Sequence, residues 1–300
     1  ILFRSFESWA DFFAIQNAVF GVDADSRLFV QGSLAFTGNL NLYMGQLAAG
    51  GTLIAEDVFL PGKWEQVMAR ERANGIYLIP SKLLMLPRVF KGVNANIRTI
   101  ISGSQSLGRK DAEVLKKIFP NTEITLYYGA SELNYITYVK SADMTEERNL
   151  IGKPFPGVRV FIQDDEMYVD NAFHVENITV PYSLKDSGRM DLQGNFYFLG
   201  RTDDIVGVRG RKVSMMKIEN ALEEVAGITE AAVVLLPKEK DADMPAEIVS
   251  AFVTVEGTDV PENLRQQLKE KLADFEIPKR VIVLEAFPKN TSGKVDKARL

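Results

Sequence analysis

The sequence contains no cysteine and only one histidine, His174. Without cysteine, the chain cannot form a disulfide, a thiolate metal site or a thiolate nucleophile. A single histidine excludes any metal site with several histidine ligands, and any serine–histidine triad built away from His174. We expect His174 to be a surface residue, so the chemistry of this chain must rest on other side chains.

Long apolar runs and a strong net charge are also missing. No stretch approaches the ~20 apolar residues of a membrane helix, and no charged leader precedes an apolar segment. A net charge of −5 gives no electrostatic attraction to nucleic acid or to an anionic membrane. The composition, 46% apolar and 25% charged, is that of an ordinary soluble globular protein. We therefore expect a cytoplasmic protein with no nucleic-acid partner and no integral membrane association.

The first half of the chain alternates short apolar segments with helical patterns. The predicted strands cover 28–30, 52–54, 76–79, 97–102 and 124–128, and the predicted helices cover 5–20, 39–49, 64–74, 82–90 and 110–119. Phe6, Trp9, Phe13 and Phe20 recur near helical spacing, which predicts an aromatic stripe packed in the core. Such alternation is typical of a parallel sheet covered by helices, and it places this half in the α/β class.

The pattern changes twice after residue 150. Short strands at 158–162, 167–169 and 196–199 predict a small antiparallel subdomain. A glycine-turned ribbon over 205–213 then leads to a helix for which Ser214 is the expected N-cap. The strands predicted beyond it are 231–236, 247–255 and 280–284, with a helix over 262–275. These segments predict a C-terminal α+β unit.

A chain of 300 residues is long enough for two domains. We expect a large domain over 1–202, made of a βα part (1–149) and a small β subdomain (150–202), followed by a mobile α+β domain over 203–300.

Two loops follow strands of the predicted parallel sheet, where ligands bind in such folds. They are Ser102–Gly108 and Tyr127–Glu132. Taken alone, each is better explained as an ordinary strand-to-helix turn. Lys294, on a Ser-Gly turn near the C-terminus, is likewise explained as a solvated lysine.

Four motifs taken in order are more specific than any one of them. They are Tyr128-Gly129-Ala130-Ser131-Glu132, the run from Asp186 to Arg201, Gly200-Arg201-Thr202-Asp203-Asp204 leading to Arg209-Gly210, and Pro288 to Lys294. In this order they resemble the adenylate-forming superfamily, which comprises AMP-forming acyl-CoA synthetases, adenylation domains of nonribosomal peptide synthetases and firefly luciferase.

The resemblance implies one group of contacts in the βα part of the chain. The implied adenine-side residues are Ser104, Gln105, Ser106, Tyr128 and Gly129, with Tyr128 stacking on the base. Ser131 would contact phosphate, and Glu132 would bind Mg²⁺ and share in catalysis. By analogy, Phe36-Thr37-Gly38 and Gly103 would line an acyl pocket, although core packing explains Phe36 equally well.

A second group of implied contacts lies towards the C-terminus. Asp186 would bind the ribose hydroxyls, and Arg201 would add a ribose or phosphate contact. Asp203 would be the hinge between two domain orientations, and Gly210 would border the pantetheine tunnel of coenzyme A. Lys294 would approach the carboxylate and the α-phosphate, where an ammonium stabilises developing negative charge.

The sequence departs from the family pattern in three places. No glycine-rich Ser/Thr-Gly-Lys phosphate loop precedes Phe3-Arg4 in these 300 residues. Leu184-Lys185 stands where Thr-Gly usually precedes the ribose aspartate, and Ser106 stands where proline is usual.

The function implied is that of an AMP-forming acid–thiol ligase. It would activate a carboxylic acid, expected to be a fatty acid, as acyl-AMP with ATP and Mg²⁺, and then transfer the acyl group to coenzyme A. Two alternatives stay open: an adenylation enzyme that loads an acyl carrier protein, and a catalytically silent nucleotide- or CoA-binding remnant.

Overall fold

The computed structural model describes residues 2–208, 211–237, 247–289 and 295–300. The α-helices are α1 (Phe6–Ala10), α2 (Phe13–Phe20), α3 (Thr37–Ala48), α4 (Pro61–Arg70), α5 (Pro80–Leu83), α6 (Leu86–Val89), α7 (Arg109–Ile118), α8 (Met215–Glu223) and α9 (Leu264–Lys269). The strands in the first two thirds are β1 (Arg27–Gln31), β2 (Thr52–Glu56), β3 (Gly75–Tyr77), β4 (Thr99–Gly103), β5 (Glu123–Ala130), β6 (Asn134–Lys140), β7 (Leu150–Pro154), β8 (Arg159–Gln163), β9 (Glu166–Asp170), β10 (Tyr182–Met190) and β11 (Phe196–Arg201). The strands that follow are β12 (Ile205–Val208), β13 (Arg211–Ser214), β14 (Ile228–Pro237), β15 (Glu247–Val255) and β16 (Arg280–Val283).

Contacts between residues divide the chain into two compact units. Unit 1 comprises residues 1–184 and 188–198, and unit 2 comprises residues 185–187 and 199–300.

Unit 1 is built on a large mixed sheet. The strand order of that sheet is β2-β1-β3-β4-β5-β6-β7-β11-β10-β9-β8. Strands β1 to β5 pair in parallel, as the βα alternation predicts. From β5 onward, the pairs β5–β6, β6–β7, β7–β11 and β8–β9 are antiparallel. The predicted α/β class, with a parallel-rich part and an antiparallel part, is confirmed.

Helices cover both faces of the parallel strands. Because successive strand residues point to opposite faces, neighbouring residues of one strand pack in different clusters. Ile76 packs in one buried cluster with Trp64 of α4 and Leu115 of α7. The next residue, Tyr77, packs in the other cluster, with Phe20 of α2. Strands buried on both faces explain why this part of the sequence shows continuous apolar runs.

Three of the predicted helices are interrupted or shortened in the structure. The helix predicted over 262–275 covers only α9, Leu264–Lys269. The helix predicted over 5–20 is interrupted by a turn at residues 11–12, and Phe6 of the predicted aromatic stripe is 67% exposed, whereas Phe13 and Phe20 are buried. The helix predicted over 82–90 is two single turns, α5 and α6. Pro87 lies at the start of α6, and proline cannot continue a helix because it lacks the N–H donor and clashes with the preceding turn.

Unit 2 has its own core. Strands β14, β15 and β16 form a three-stranded sheet, and β12 pairs with β13 in the predicted antiparallel ribbon. Ser214 caps α8 by accepting a hydrogen bond from the Lys217 backbone N–H, as predicted. Apolar residues of α8 and α9 pack on β14 and β15 in one buried cluster that includes Ile218, Leu268 and Val253. Within the described residues of both units, no helix has the length and apolarity needed to cross a membrane.

Candidate functional site

Two candidate loops begin side by side at the carboxyl edge of the parallel strands in unit 1. The register of β4 and β5 pairs Gly103 with Tyr127, so the residues that follow each strand leave the sheet together. A Cβ on Gly103 would lie 2.5 Å from Cζ of Tyr127, so only glycine allows the ring to pack against this backbone. The structure therefore brings together the two loops that the sequence analysis selected.

The loop after β4 leads into α7, as predicted for a strand-to-helix turn. Ser104 is exposed and adopts φ = 68°, a left-handed conformation that is uncommon for serine. Gln105 accepts a hydrogen bond from the Ser81 backbone N–H through Oε1 at 2.9 Å, which ties the loop to the start of α5. Ser106 is half-buried beside it.

The motif from Tyr128 to Glu132 is a hairpin turn, and the strand-to-helix turn considered for it is wrong. The chain returns at once as β6, in a register that pairs Ala130 with Asn134. A Cβ on Gly129 would lie 2.5 Å from the Asn134 carbonyl oxygen, so this register leaves room only for glycine at position 129. The half-buried Tyr128 ring lies 5.9 Å from the Phe198 ring, so one side of the tyrosine already packs against the protein.

Three contacts hold the turn at Ser131 and Glu132. The Ser131 hydroxyl lies 2.8 Å from the Thr37 hydroxyl. Arg4 donates from Nη2 to the Ser131 carbonyl oxygen at 3.1 Å, and the Val175 backbone N–H donates to the Glu132 carbonyl oxygen at 2.9 Å. With its backbone fixed in this way, the turn presents a hydroxyl and a carboxylate from adjacent positions.

Arg4 was not assigned to any site from the sequence, and Thr37 was expected in the acyl pocket rather than at this turn. Thr37 opens α3 after β1, so the strand-end rule that selected the other loops would also have found it. The sequence offers no comparable signal for Arg4. Burial lowers the pKa of Arg4, and the charge of Glu132 opposes that shift.

The turn fits a hard cation that also binds a substrate phosphate. Mg²⁺ is usually held by one or two carboxylates together with phosphate oxygens and waters, rather than by a cluster of protein ligands. Glu132 supplies such a carboxylate. In the part of the chain that the structure describes, no group of three His, Cys, Asp or Glu side chains is arranged to hold a metal ion.

A buried pair of tyrosines lies directly behind the candidate loops. The hydroxyls of Tyr77 and Tyr127 are 2.7 Å apart, and a Cβ on Gly38 would lie 2.9 Å from each of them. Burial raises the pKa of Tyr127 to about 12, partly offset by the hydrogen bond from Tyr77. Both phenols stay neutral near pH 7 and act as a fixed polar support.

In unit 2, the expected ribose residue Asp186 is buried within β10, and Arg201 ends β11. Arg201 Nε lies 3.8 Å from Asp186 Oδ1, so the structure brings these two predicted residues together. Lys185, which replaces the family's glycine, adopts φ = 62°, the left-handed conformation that glycine adopts without strain. The Thr202 hydroxyl donates to the Lys185 carbonyl oxygen at 2.9 Å.

Of the three remaining predicted residues, the structure describes the backbone of one, Asp203. Asp203 lies in a single 3₁₀ turn, Thr202–Asp204, between β11 and β12. Gly210 and Lys294 lie outside the described residues. On either side of residues 290–294, Lys289 and Val295 form an isolated antiparallel bridge.

Comparisons with known proteins find relatives among acyl-CoA ligases and nonribosomal peptide synthetases. The chain is 25% identical over 317 residues to an uncharacterized acyl-CoA ligase, YhfT, of Bacillus subtilis strain 168, covering 99% of this chain and 64% of the relative. It is 26% identical over 319 residues to a linear gramicidin synthase of Brevibacillus parabrevis, covering 94% of this chain and 6% of that protein. This chain thus spans less than two thirds of either relative.

Among solved structures, the fold matches O-succinylbenzoate coenzyme A synthetase (MenE) of Bacillus subtilis in complex with ATP and magnesium ion. The TM-score is 0.85 at 18% identity, with 100% of this chain and 66% of that chain covered, and at this identity the likeness shows the fold. Two family models match the sequence: AMP-binding enzyme over residues 5–172, and AMP-binding enzyme C-terminal domain over residues 217–294. Because the first of these alone spans more than half of its residues, the chain belongs to the AMP-binding enzyme family, within the adenylate-forming superfamily that its motifs resemble.

Proposed function

We propose that this chain is part of an AMP-forming acid–thiol ligase. The observation that carries the proposal is the register of β4 and β5, which sets the loop at Ser104 beside Tyr128 and the turn at Ser131 and Glu132. An aromatic face, a hydroxyl and a carboxylate at one sheet edge match the base, phosphate and metal ion of a magnesium nucleotide. The family membership and the fold of a synthetase solved with ATP and magnesium support the same reading.

The reaction has two steps. In the first, a carboxylate oxygen of the acid attacks the α-phosphorus of ATP, giving acyl-AMP and releasing pyrophosphate. In the second, the thiol of coenzyme A attacks the acyl carbonyl, forming the thioester and releasing AMP. We propose a fatty acid as the substrate, and a screen of carboxylic acids for ATP-dependent pyrophosphate release tests that choice.

We assign the site residues as the family pattern implies. Tyr128 stacks on adenine, with Gly129 beside it and the Ser104-Gln105-Ser106 loop opposite. Ser131 contacts phosphate, and Glu132 holds Mg²⁺, which neutralises phosphate charge when bound. In each case the side chain supplies the donor, acceptor or ring face that its partner requires.

Unit 2 supplies the rest of the proposed machinery. Asp186 accepts hydrogen bonds from the ribose hydroxyls, Arg201 adds a ribose or phosphate contact, and Gly210 borders the pantetheine path. Lys294 stabilises negative charge at the α-phosphate during the first step.

Asp203 is the proposed hinge between the two steps. Asp203→Pro fixes φ near −65° and removes one torsion that must change. We expect adenylation to survive in this variant and transfer to coenzyme A to fall. Equal loss of both steps in a folded variant would contradict the hinge.

Titration calorimetry with AMP, acyl-AMP, coenzyme A and ATP tests the proposal. We expect these 300 residues to bind AMP and acyl-AMP better than they turn over ATP, because no glycine-rich phosphate loop lies within them. Tight, Mg²⁺-dependent ATP binding with rapid pyrophosphate release would contradict this mapping of the phosphate site.

Measuring acyl-CoA, acyl-carrier and AMP formation side by side separates the alternatives. The same assay is run on a chain extended upstream to the length of its ligase relatives. Acyl-carrier product without acyl-CoA would favour the carrier-loading enzyme, for which the likeness to a gramicidin synthase is the specific observation. Nucleotide binding with no product in either chain would favour the silent remnant.

A further inference from the structure

Arg4 connects three separate segments of unit 1 through one guanidinium. Nη2 donates to the Ser131 carbonyl oxygen at 3.1 Å, and Nη1 donates to the carbonyl oxygens of Phe173 at 2.5 Å and Ser8 at 3.4 Å. These acceptors lie in the candidate turn, in the segment after β9 and in α1. A guanidinium carries five N–H donors in a fixed planar geometry, so one arginine side chain can bond to several carbonyl oxygens at once.

The backbone beside Arg4 strengthens the same connection. The Glu176 backbone N–H donates to the Phe3 carbonyl oxygen at 2.8 Å, and the Val175 backbone N–H donates to the Glu132 carbonyl oxygen at 2.9 Å. The strip before α1, the segment at 173–176 and the candidate turn therefore form one hydrogen-bonded group.

The charge of Arg4 is not cancelled by a direct ion pair. Among the described residues, no carboxylate lies within ion-pair distance of its guanidinium, and Glu132 acts on it only from farther away. A half-buried cation that bonds to carbonyl oxygens alone leaves its positive field at the turn.

We propose that Arg4 is a positioning residue that holds the Ser131 and Glu132 turn in the geometry that receives magnesium-bound phosphate. The proposal rests on the proposed function for the identity of the ligand, but the holding of the turn is a separate claim. Arg4 acts through the backbone of the turn and contacts neither the base nor the acid.

The first measurement is amide hydrogen exchange in Arg4→Ala, Arg4→Lys and a matched control, Arg27→Ala. Arg27 is also a half-buried arginine of unit 1, and its Nε donates to the Glu71 carbonyl oxygen at 2.7 Å, away from the turn. The reporters for the turn are the amides of Leu133, which donates to Ala130, and of Val175; the reporter near Arg27 is the amide of Thr52, which donates to Ser26.

We expect Arg4→Ala to speed exchange of the Leu133 and Val175 amides about tenfold, the effect of losing one charge-assisted hydrogen bond. The Thr52 amide should be unaffected. Arg27→Ala should speed exchange of the Thr52 amide and leave the Leu133 and Val175 amides unaffected. In Arg4→Lys, the exchange rates of the turn amides should lie between those of Arg4→Ala and the parent chain, because an ammonium still donates to one carbonyl. Unchanged turn amides in Arg4→Ala would overturn the proposal.

The second measurement, made on the chain extended to the length of its ligase relatives, is the ratio of ATP affinity with Mg²⁺ to ATP affinity with EDTA. AMP affinity in EDTA is the reference. A general loss of folding weakens all three affinities alike. A displaced turn instead lowers the ratio of the two ATP affinities, by about tenfold in Arg4→Ala, and leaves AMP affinity unchanged. An unchanged ratio together with faster turn exchange would overturn the functional part of the proposal. If the parent chain binds no adenine nucleotide, the proposed function fails, while the exchange data still decide whether Arg4 holds the turn.

Discussion

Two sets of contacts among the candidate residues differ in kind: the hydrogen bonds at the Ser131 turn of unit 1, and the charge pair of Asp186 and Arg201 in unit 2. In unit 1, the Ser131 carbonyl oxygen accepts a hydrogen bond from Arg4 at 3.1 Å, and the Ser131 hydroxyl lies 2.8 Å from the Thr37 hydroxyl. In unit 2, Arg201 Nε lies 3.8 Å from Asp186 Oδ1. Near the C-terminus, Lys297 Nζ lies 2.7 Å from Glu219 Oε1. Directional hydrogen bonds fix an atom's position, whereas partly exposed ion pairs tolerate movement and are weakened by salt.

This difference suggests a division of labour. We propose that unit 1 supplies a preformed surface for the nucleotide and that unit 2 supplies charged side chains for the reaction. Four substitutions test this division, with the largest effect expected for Lys294→Ala and the smallest for Glu219→Gln.

Lys294→Ala should slow the adenylation step and leave nucleotide affinity unchanged. In a chain extended to the length of its relatives, we expect adenylation to fall by roughly 10²–10³, the usual effect of losing one charge-stabilising donor. Thioester formation from supplied acyl-AMP should persist. Pyrophosphate exchange measures the first step, and Lys271→Ala, which removes a surface lysine paired with Glu224, is the control. Normal exchange in Lys294→Ala would show that Lys294 is only a surface residue.

Gly103→Ala should disturb the support of the nucleotide surface in unit 1. The added Cβ would lie 2.5 Å from the ring of the buried Tyr127, which also contacts the rings of Phe20 and Tyr135. We therefore expect a loss of about 1–3 kcal/mol in the free energy of unfolding. Urea unfolding measures it. Gly62→Ala, in α4 with open space around its Cβ position, is the control and should be neutral or slightly stabilising. Equal stability of the two variants would mean that the contact at Tyr127 relaxes freely.

Asp186→Ala should weaken nucleotide binding at least tenfold, because a carboxylate bonded to ribose hydroxyls contributes about 1.5–3 kcal/mol for each bond. Calorimetry with AMP and with 2′-deoxy-AMP separates this contact from the loss of the Arg201 pair. The parent chain should prefer AMP, and the variant should not discriminate between the two ligands. A variant that still prefers AMP would place the ribose contact elsewhere.

Glu219→Gln should give the smallest effect, on the pH dependence of unit 2. Burial raises the pKa of Glu219, although Lys297 and the Val233 backbone N–H act in the opposite direction. A raised pKa in the folded state contributes stability below the usual carboxyl pKa, and that contribution is lost as pH rises through the folded value. As pH rises above the usual carboxyl pKa of about 4.3, the parent chain should therefore lose stability relative to Glu219→Gln until the raised folded-state pKa is passed.

Urea unfolding at several pH values measures this difference. Glu224→Gln, which removes a more exposed carboxylate of unit 2, controls for the general loss of negative charge. A parent chain that gains stability relative to Glu219→Gln over this range would show that the pair with Lys297 outweighs burial.

Local patterns were sufficient for much of the fold and for the choice of candidate site residues. The N-cap at Ser214, the ribbon that precedes it and the parallel strands are set by residues close together in sequence, so their patterns are visible without a structure. The motif at Tyr128 was found in the same way. Strands β6, β7 and β10 were missed. A polar strand such as β10 is defined by the neighbours it pairs with rather than by its own alternation, whereas β6 carries the aromatic and β-branched residues typical of a strand and could have been predicted.

The sequence by itself determined the α/β class, the βα alternation and the order of motifs that identifies the family. The tertiary structure alone decided that the turn at Ser131 is a hairpin, that Gly103 lies beneath the Tyr127 ring and that Arg4 bonds to the turn. Arg4 and Ser131 are 127 positions apart, and no local periodicity encodes a hydrogen bond over that distance. Such contacts exist only once strand register and helix packing have brought the segments together, because hydrogen-bond energy depends on direction and distance in space.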